Sequence, residues 1–154
     1  MVKLPKVSPK WLAVAVLALP LYFVQGKLVV ITSDSIDHRF LVKTEGVPQK
    51  DEYALFRISH ELTDDESVTL TKRLACYAGD LLQVKNRDFY CEGHYLGRAK
   101  VTSRQGVPLT PFVYNGAIPD GYAFAIGEHQ DSFDSRYWGL LELAVAERVV
   151  PLLQ

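Results

Sequence analysis

The chain has 154 residues, of which 48% are apolar and 23% charged, a balance typical of a single globular domain. The net charge of −1 leaves no excess of lysine and arginine to neutralise phosphates, which argues against nucleic acid as a partner. No internal repeat or low-complexity segment is visible. The composition therefore predicts one folded domain with a moderate additional load of apolar residues.

The apolar excess lies near the N-terminus. Residues 11–24 read WLAVAVLALPLYFV without a charge, and three lysines precede them. By length the segment fits either a signal-peptide core or a short membrane helix. Because no small-x-small cleavage site follows and lysines flank both ends, we favour a retained anchor in the bacterial inner membrane. The predicted organisation is a cytoplasmic N-terminus over 1–10, a transmembrane anchor over 11–26 and a periplasmic domain over 27–154.

Beyond the anchor, short runs rich in β-branched and aromatic residues alternate with turn signals such as NRD, SRQGVP and NGAIPDG. The predicted strands are 27–32, 39–43, 53–59, 68–77, 80–85, 120–127 and 137–150. The last run also suits a helix by propensity, but we favour a pair of strands there. The sequence predicts a mainly β protein, with a compact antiparallel sheet or partly open barrel beside one N-terminal transmembrane helix.

The chain has two cysteines, Cys76 and Cys91. In an oxidising exterior such a pair is more simply a disulfide than a metal site. The segment between them predicts a Gly-Asp turn, a strand, a polar turn and a return strand, a hairpin that could bring the cysteines opposite each other. A zinc site would need two more ligands from the histidines, none of which lies at metal-ligand spacing from the cysteines. We expect a disulfide, no metal and no cofactor.

Two further features suggest chemistry. Ser33 and Ser35 occupy alternate positions, which point the same way in an extended chain, so their hydroxyls could act as a nucleophile and an oxyanion donor. Lys72 lies inside the apolar run TLTKRLACY, where the loss of water lowers the pKa of an ammonium group and makes it a candidate general base. Taken singly, each feature also suits an ordinary surface loop or an outward-facing strand lysine.

Three blocks in order carry a resemblance to a known family. They are SDSI at 33–36, KRLACYAGD at 72–80 and GYAFAIGEHQDSFDSRYWG at 121–139. Together they resemble the blocks of bacterial signal peptidase I, the leader peptidase family of membrane-anchored Ser-Lys proteases. In that family the first block usually reads Ser-x-Ser-Met, and the third ends in Asp-Ser-Arg-Tyr-Trp-Gly. The similarity extends from the anchor to about Pro151.

The resemblance implies a role for each matching residue. Ser35 is the expected nucleophile and Lys72 its general base, since a desolvated lysine can take the serine proton. Ser33 is expected to assist the oxyanion hole, together with the backbone N–H of Ser35. Ser132 is expected to donate or accept a hydrogen bond that orients the neutral Lys72.

The remaining residues of the third block are implied to support the site. Asp134 and Arg136 are expected to form an ion pair that fixes the loop, because two buried charges need mutual neutralisation. Tyr137, Trp138 and Gly139 are interpreted as packing residues rather than catalytic ones.

The sequence also departs from the family pattern. Ile36 stands where the family usually has methionine, His38 where proline is expected, and Gly127-Glu128-His129 where Gly-Asp-Asn is common. The small size, the single anchor and the cysteine pair look more like the TraF-type branch, which matures the pilin precursor in conjugative transfer. None of these departures removes a catalytic group.

The expected function is therefore that of a membrane-anchored serine endopeptidase. It would cleave signal, leader or pilin-precursor peptides at the periplasmic membrane face, with a membrane-embedded precursor as substrate and the lipid bilayer as a further partner. One alternative is a general signal peptidase I. Another is a non-catalytic scaffold of a secretion or conjugation apparatus, which predicts the loss of a catalytic or supporting group, whereas all are present. The residues leave open whether the acyl-enzyme passes to water or to an amine of the same polypeptide.

A self-cleaving Ser-Lys repressor would share the dyad chemistry. That class requires an N-terminal DNA-binding domain, and this chain has a hydrophobic segment in its place. The sequence therefore excludes the repressor interpretation.

Overall fold

The computed structural model describes residues 26–63 and 66–152. The predicted cytoplasmic segment 1–10 and residues 11–25 of the predicted anchor lie outside this part of the chain. Within the described residues, no helix has the length and apolar character that a membrane crossing requires. The transmembrane anchor therefore stays a prediction.

The described chain contains eleven strands and one short α-helix. They are β1 (Leu28–Val30), β2 (Phe40–Lys43), β3 (Tyr53–Ser59), β4 (Ser67–Tyr77), β5 (Leu81–Lys85), β6 (Asp88–Cys91), β7 (His94–Arg98), β8 (Gly116–Ala117), β9 (Tyr122–Ile126), α1 (Ser135–Trp138), β10 (Leu141–Glu142) and β11 (Glu147–Pro151). Single 3₁₀ turns occur at Glu61–Thr63 and Leu143–Val145.

The strands form two antiparallel sheets, which confirms the prediction of a mainly β, antiparallel fold. The larger sheet has the order β1-β2-β11-β3-β4-β9-β10, and the smaller one has the order β7-β6-β5-β8. The longest strand, β4, lies between β3 and β9 in the larger sheet. β3 pairs with residues 67–73 of β4 and β9 with residues 73–77, and the side chains of Thr71, Lys72 and Leu74 near its centre are buried.

Apolar clusters hold the two sheets together. The largest contains the stacked rings of Phe89 and Phe124, with centroids 5.3 Å apart, one from each sheet. A smaller cluster joins Ile36 to Leu41 and Val149. The large cluster fixes the sheets relative to each other, and the small one seats the chain that follows β1.

The run 137–150 does not form the strand pair expected from its sequence. It contains the end of α1, a 3₁₀ turn and two strands that pair with different partners: β10 with β9, and β11 with both β2 and β3. Since β11 is inserted between two strands, both edges of its backbone find hydrogen-bond partners, which a terminal hairpin would not provide. The two strands exist, but their pairing with each other is wrong.

The Cys76–Cys91 disulfide is present in the structure, with Cα atoms 5.6 Å apart. The expected hairpin also forms between β5 and β6, around a turn at Asn86 and Arg87, which both have positive φ. Within the hairpin, however, Cys91 is paired with Leu82. Cys76 belongs to β4, so the bond joins the larger sheet to the smaller one rather than bracing the hairpin alone.

Candidate active site

Lys72 is the most unusual side chain of the larger sheet. It lies in the middle of β4, opposite Ala54 of β3, and is only 1% exposed. Burial lowers the pKa of Lys72 to about 8; the charge of Asp134 raises it and that of Arg136 lowers it. No ion pair involves Lys72 within the described residues. An amine in this state holds a substantial neutral fraction near pH 8 and can accept a proton.

Two cavities that share Ser33 in their linings lie where the chain leaves β1. The first, of about 210 Å³, is lined by Lys72, Ser33 and a mostly apolar wall. Its apolar wall includes Val29, Val30, Ile31, Leu55 and Leu70. The second, of about 230 Å³, is polar and is lined by Ser33, Asp34, Ser35, Arg104, His129, Asp131 and Ser132. Ser33 borders both cavities, whereas the expected base Lys72 lines only the first and the expected nucleophile Ser35 only the second.

The turn that carries Ser35 is fixed from two directions. Its Ile36 is 4% exposed and packs in the same cluster as Leu41 and Tyr53. Its polar side is tied to the third sequence block, because the backbone N–H of Glu128 donates to the Ser35 carbonyl at 2.7 Å. The first and third blocks are therefore in direct contact.

Gly127 makes that contact possible. A Cβ atom at this position would lie 2.0 Å from the Ser132 hydroxyl oxygen and 2.9 Å from the Ser35 carbonyl oxygen. The backbone N–H of Gly127 donates to a carboxylate oxygen of Asp134 at 2.9 Å. Only glycine fits there, and its lack of a side chain lets the Ser132 side chain approach the nucleophile turn.

The Ser132 hydroxyl is buried and has no hydrogen-bond partner among the described residues. The structure therefore lacks the expected hydrogen bond between Ser132 and Lys72, although it brings Ser132 and Ser35 to the same cavity. Catalytic hydrogen bonds are often long without substrate and shorten when substrate is bound. The orienting role of Ser132 stays a prediction.

Asp134 and Arg136 form the ion pair that the sequence predicts. The guanidinium donates from Nε to Oδ1 at 2.8 Å and from Nη2 to Oδ2 at 2.7 Å, and the two residues are 0% and 4% exposed. Burial lowers the pKa of Arg136, but the hydrogen bonds and charge of Asp134 outweigh it, so the pKa is raised overall. The Arg136 guanidinium is thus held in its charged form.

The same pair fixes the elements around the site. Asp134 caps α1 by accepting from the backbone N–H of Arg136, and Arg136 donates to the Arg98 carbonyl of the smaller sheet at 3.1 Å. Ser135 accepts from the Ala125 N–H of β9 at 2.9 Å. The Asp-Ser-Arg run therefore anchors the loop to both sheets.

The packing interpretation of the residues after Arg136 is consistent with their surroundings. Tyr137 is buried in the large cluster, and its hydroxyl accepts from the Lys100 N–H at 3.0 Å. The Trp138 ring contacts Phe56 edge to face, with centroids 5.5 Å apart.

The described part of the chain contains one group of residues with metal-ligand geometry, Cys76, Asp80 and Cys91. Its two sulfur atoms are bonded to each other, so they are not available as thiolate ligands. The site residues themselves include no such group, and we assign them no cofactor.

Sequence reasoning missed the importance of two residues of the third block. Gly127 matches the glycine of the family's Gly-Asp-Asn and precedes the two positions that differ. A glycine at such a position indicates a close backbone approach. Glu128 stands at the acidic position of the family's Gly-Asp-Asn, but the sequence does not show which segment that acid contacts. The contacts of both residues depend on chain segments about 90 residues away.

Comparison with known protein families gives one match that spans most of the chain. A family model described as "Signal peptidase, peptidase S26" matches residues 10–149. The chain belongs to the S26 signal peptidase family. It is accordingly a serine-type signal peptidase, which confirms the enzyme class and the wider family expected from the three blocks.

Comparison with solved structures finds the crystal structure of a signal peptidase I from Enterococcus faecalis. The match has 19% sequence identity and a TM-score of 0.43, and covers 70% of this chain and 99% of the other. The curated proteins contain no sequence that matches significantly.

Proposed function

We propose that this signal peptidase works through a Ser35–Lys72 dyad and cleaves membrane-embedded precursor proteins at the periplasmic face of the inner membrane. The observation that carries the proposal is the state of Lys72: 1% exposed, without an ion-pair partner among the described residues, and with its pKa lowered to about 8 by burial. A buried lysine is normally paired. An unpaired one that lines the same cavity as Ser33 is suited to proton transfer.

The first half of the reaction forms an acyl-enzyme. The Ser35 hydroxyl attacks the scissile carbonyl carbon while its proton moves to the neutral Nζ of Lys72. The negative oxygen that develops is stabilised by the Ser35 N–H and the Ser33 hydroxyl, since donors aimed at that oxygen act most strongly in the transition state. Lys72 then gives its proton to the leaving amine, and the peptide bond breaks.

The second half regenerates the enzyme. The neutral Lys72 takes a proton from a water molecule, or from an incoming amine, as that group attacks the ester carbonyl. The tetrahedral intermediate collapses, and Lys72 returns the proton to the Ser35 oxygen. Water gives hydrolysis, whereas an amine of the same polypeptide gives a cyclic product.

The shape of the site supports a narrow substrate preference. The cavity beside Lys72 holds about 210 Å³ and has a mostly apolar wall, which suits a small side chain just before the cut. A substrate lying extended along a sheet edge would present such a side chain. An apolar segment anchored in the same membrane would hold the precursor near the site.

Precursor processing in membranes tests the dyad. Ser35→Ala and Lys72→Met are each expected to lower the rate by about 10⁴-fold or more, since each removes a member of one catalytic unit. The matched controls are Ser59→Ala and Lys85→Met, which change exposed residues of the same types and should keep wild-type rates. A wild-type rate for either dyad variant would refute the mechanism.

For the biological role, we propose pilin maturation in a conjugative transfer system, supported by the small size, the cysteine pair and the resemblance to the TraF-type branch. General removal of secretory leaders is a second candidate, favoured by the family description, which names signal peptidases without a pilin substrate. Mass spectrometry of a pilin precursor and a secretory precursor, each incubated with the enzyme, distinguishes the two. Cleavage of the secretory precursor alone would exclude the pilin role.

A topology measurement tests the location. A reporter that is active only in the periplasm should be active when it is fused after Gln154. The purified protein should retain residues 1–26. A mature N-terminus near Lys27 would show instead that the apolar segment is removed.

A further inference from the structure

The carboxylate of Glu128 makes contacts that the dyad chemistry does not use. One oxygen accepts a hydrogen bond from the backbone N–H of Asp37 at 2.5 Å, and the other accepts from the Tyr53 hydroxyl at 2.5 Å. The backbone N–H of Glu128 also donates to the Ser35 carbonyl at 2.7 Å. Glu128 therefore holds the nucleophile turn on both sides of Ile36.

Tyr53 connects this contact to the general base. It is 8% exposed and begins β3, and the next residue, Ala54, lies opposite Lys72 in the sheet register. Burial raises the pKa of Tyr53, and the hydrogen bond to Glu128 raises it further, so its hydroxyl keeps its proton and donates. One continuous path of contacts thus runs from the nucleophile turn through Glu128 to the strand beside Lys72.

The apolar contacts of Ile36 do not accomplish the same task. Burial of an apolar side chain is non-directional, so it holds the turn against the sheet without setting its rotation. Two hydrogen bonds to one carboxylate define both a distance and an orientation. The turn therefore has an apolar anchor that stabilises it and a polar one that orients it.

We propose that Glu128 is a positioning residue, which holds Ser35 in the orientation that Lys72 requires. The inference rests on the proposed function, because it takes Ser35 as the nucleophile. Glu128 acts through the turn and through Tyr53, and it does not itself exchange a proton with substrate. The step that depends on it is the attack of the hydroxyl, which is sensitive to displacements of about 1 Å.

The test compares kcat and KM for the purified full-length protein in detergent, with a precursor peptide as substrate. Glu128→Ala is expected to lower kcat on the order of 10- to 100-fold, because the hydroxyl loses its alignment, and to leave KM within about twofold. Glu128→Gln should recover most of that loss, since an amide oxygen accepts from the Asp37 N–H and an amide nitrogen donates to the Tyr53 oxygen. The exposed Glu45→Gln is the matched control and should behave as wild type.

A second variant keeps the test informative if Glu128→Ala fails to fold. Tyr53→Phe retains the ring that contacts His38 edge to face at 5.5 Å and loses only the hydroxyl. It should lower kcat by about tenfold, the equivalent of one hydrogen bond, with KM unchanged. A wild-type kcat for Tyr53→Phe would overturn the proposal, as would a change confined to KM or a Glu128→Gln enzyme no more active than Glu128→Ala.

Ser35→Ala in the same assay separates this inference from the proposed function. Full activity of Ser35→Ala would refute the dyad itself. An inactive Ser35→Ala combined with a wild-type kcat for Glu128→Ala would refute only the positioning role.

Discussion

Asp134 and Arg136 are buried about as deeply as Lys72. The two form an ion pair with each other, whereas Lys72 forms no ion pair among the described residues. The ion pair is bidentate, and its atoms also bond the backbone of Gly127 and Arg98. Lys72 has no ion-pair partner and the Ser132 hydroxyl has no hydrogen-bond partner among the described residues. We call the Asp134–Arg136 pair the complete region, because its charged groups have partners, and Lys72 with Ser132 the incomplete region.

The contrast separates structural from reactive polar groups. A buried charge with all its partners in place is stable and chemically inert, because any change of protonation would break several hydrogen bonds. A buried amine without partners has its charged form destabilised, and that same penalty makes it a base. In the proposed mechanism the enzyme therefore gains reactivity at Lys72 at a cost in stability, and the Asp134–Arg136 pair keeps the surrounding loop in place.

The largest expected effect comes from breaking the complete region. Asp134→Ala leaves the Arg136 guanidinium buried without a counter-charge, removes the acceptor for Gly127 and deletes the cap of α1. Unfolding in urea should show a loss of about 3–5 kcal/mol, the usual consequence of removing one partner of a buried pair. The exposed Asp120→Ala serves as control. A change below about 1 kcal/mol would mean that the pair is not an essential anchor.

A substitution in the incomplete region should raise the free energy of unfolding instead of lowering it. Lys72→Met removes the buried charge and keeps the side-chain length, so below pH 8 the free energy of unfolding should rise by about 3 kcal/mol, 1.36 kcal/mol for each unit between the two pKa values. Folded Lys72 loses its proton near pH 8, and unfolded lysine near its ordinary value of 10.5. Between these values the unfolded chain binds more protons, so the wild type becomes more stable as pH rises.

The pH dependence is the decisive measurement for this variant. The advantage of Lys72→Met should shrink between pH 8 and pH 10.5 and be smallest above that range. A variant less stable than wild type at pH 7, or an advantage independent of pH, would contradict the picture of an unpaired buried lysine.

The smallest expected effect on stability belongs to Ser132→Ala. Because the Ser132 hydroxyl has no hydrogen-bond partner in the described structure, its removal should change the free energy of unfolding by less than about 1 kcal/mol. If the hydroxyl orients Lys72 when substrate is bound, processing should nevertheless fall by about 100-fold. Ser135→Ala is the matched comparison, since its partnered hydroxyl should cost stability instead. Unchanged processing by Ser132→Ala would remove Ser132 from the catalytic set.

The sequence by itself determined the family and the enzyme class, because the three blocks that carry them can be read directly from the chain. Ser35 and Lys72 could be predicted as the catalytic pair because the motifs around them are local: a few residues on either side specify the block, whatever the rest of the chain does. The Asp134–Arg136 pair was predictable for the same reason, since the two partners are neighbours in one loop. The strands around these blocks were found from their apolar runs and turn signals.

Only the tertiary structure decided which segments meet. The insertion of β11 between two earlier strands, the disulfide between sheets and the contact of Glu128 with Tyr53 join residues that are distant in sequence. Periodicity reports which face of a segment is buried but not the partner that covers it. The burial of Lys72, which lowers its pKa, likewise depends on tertiary packing and not on the residues next to it in sequence.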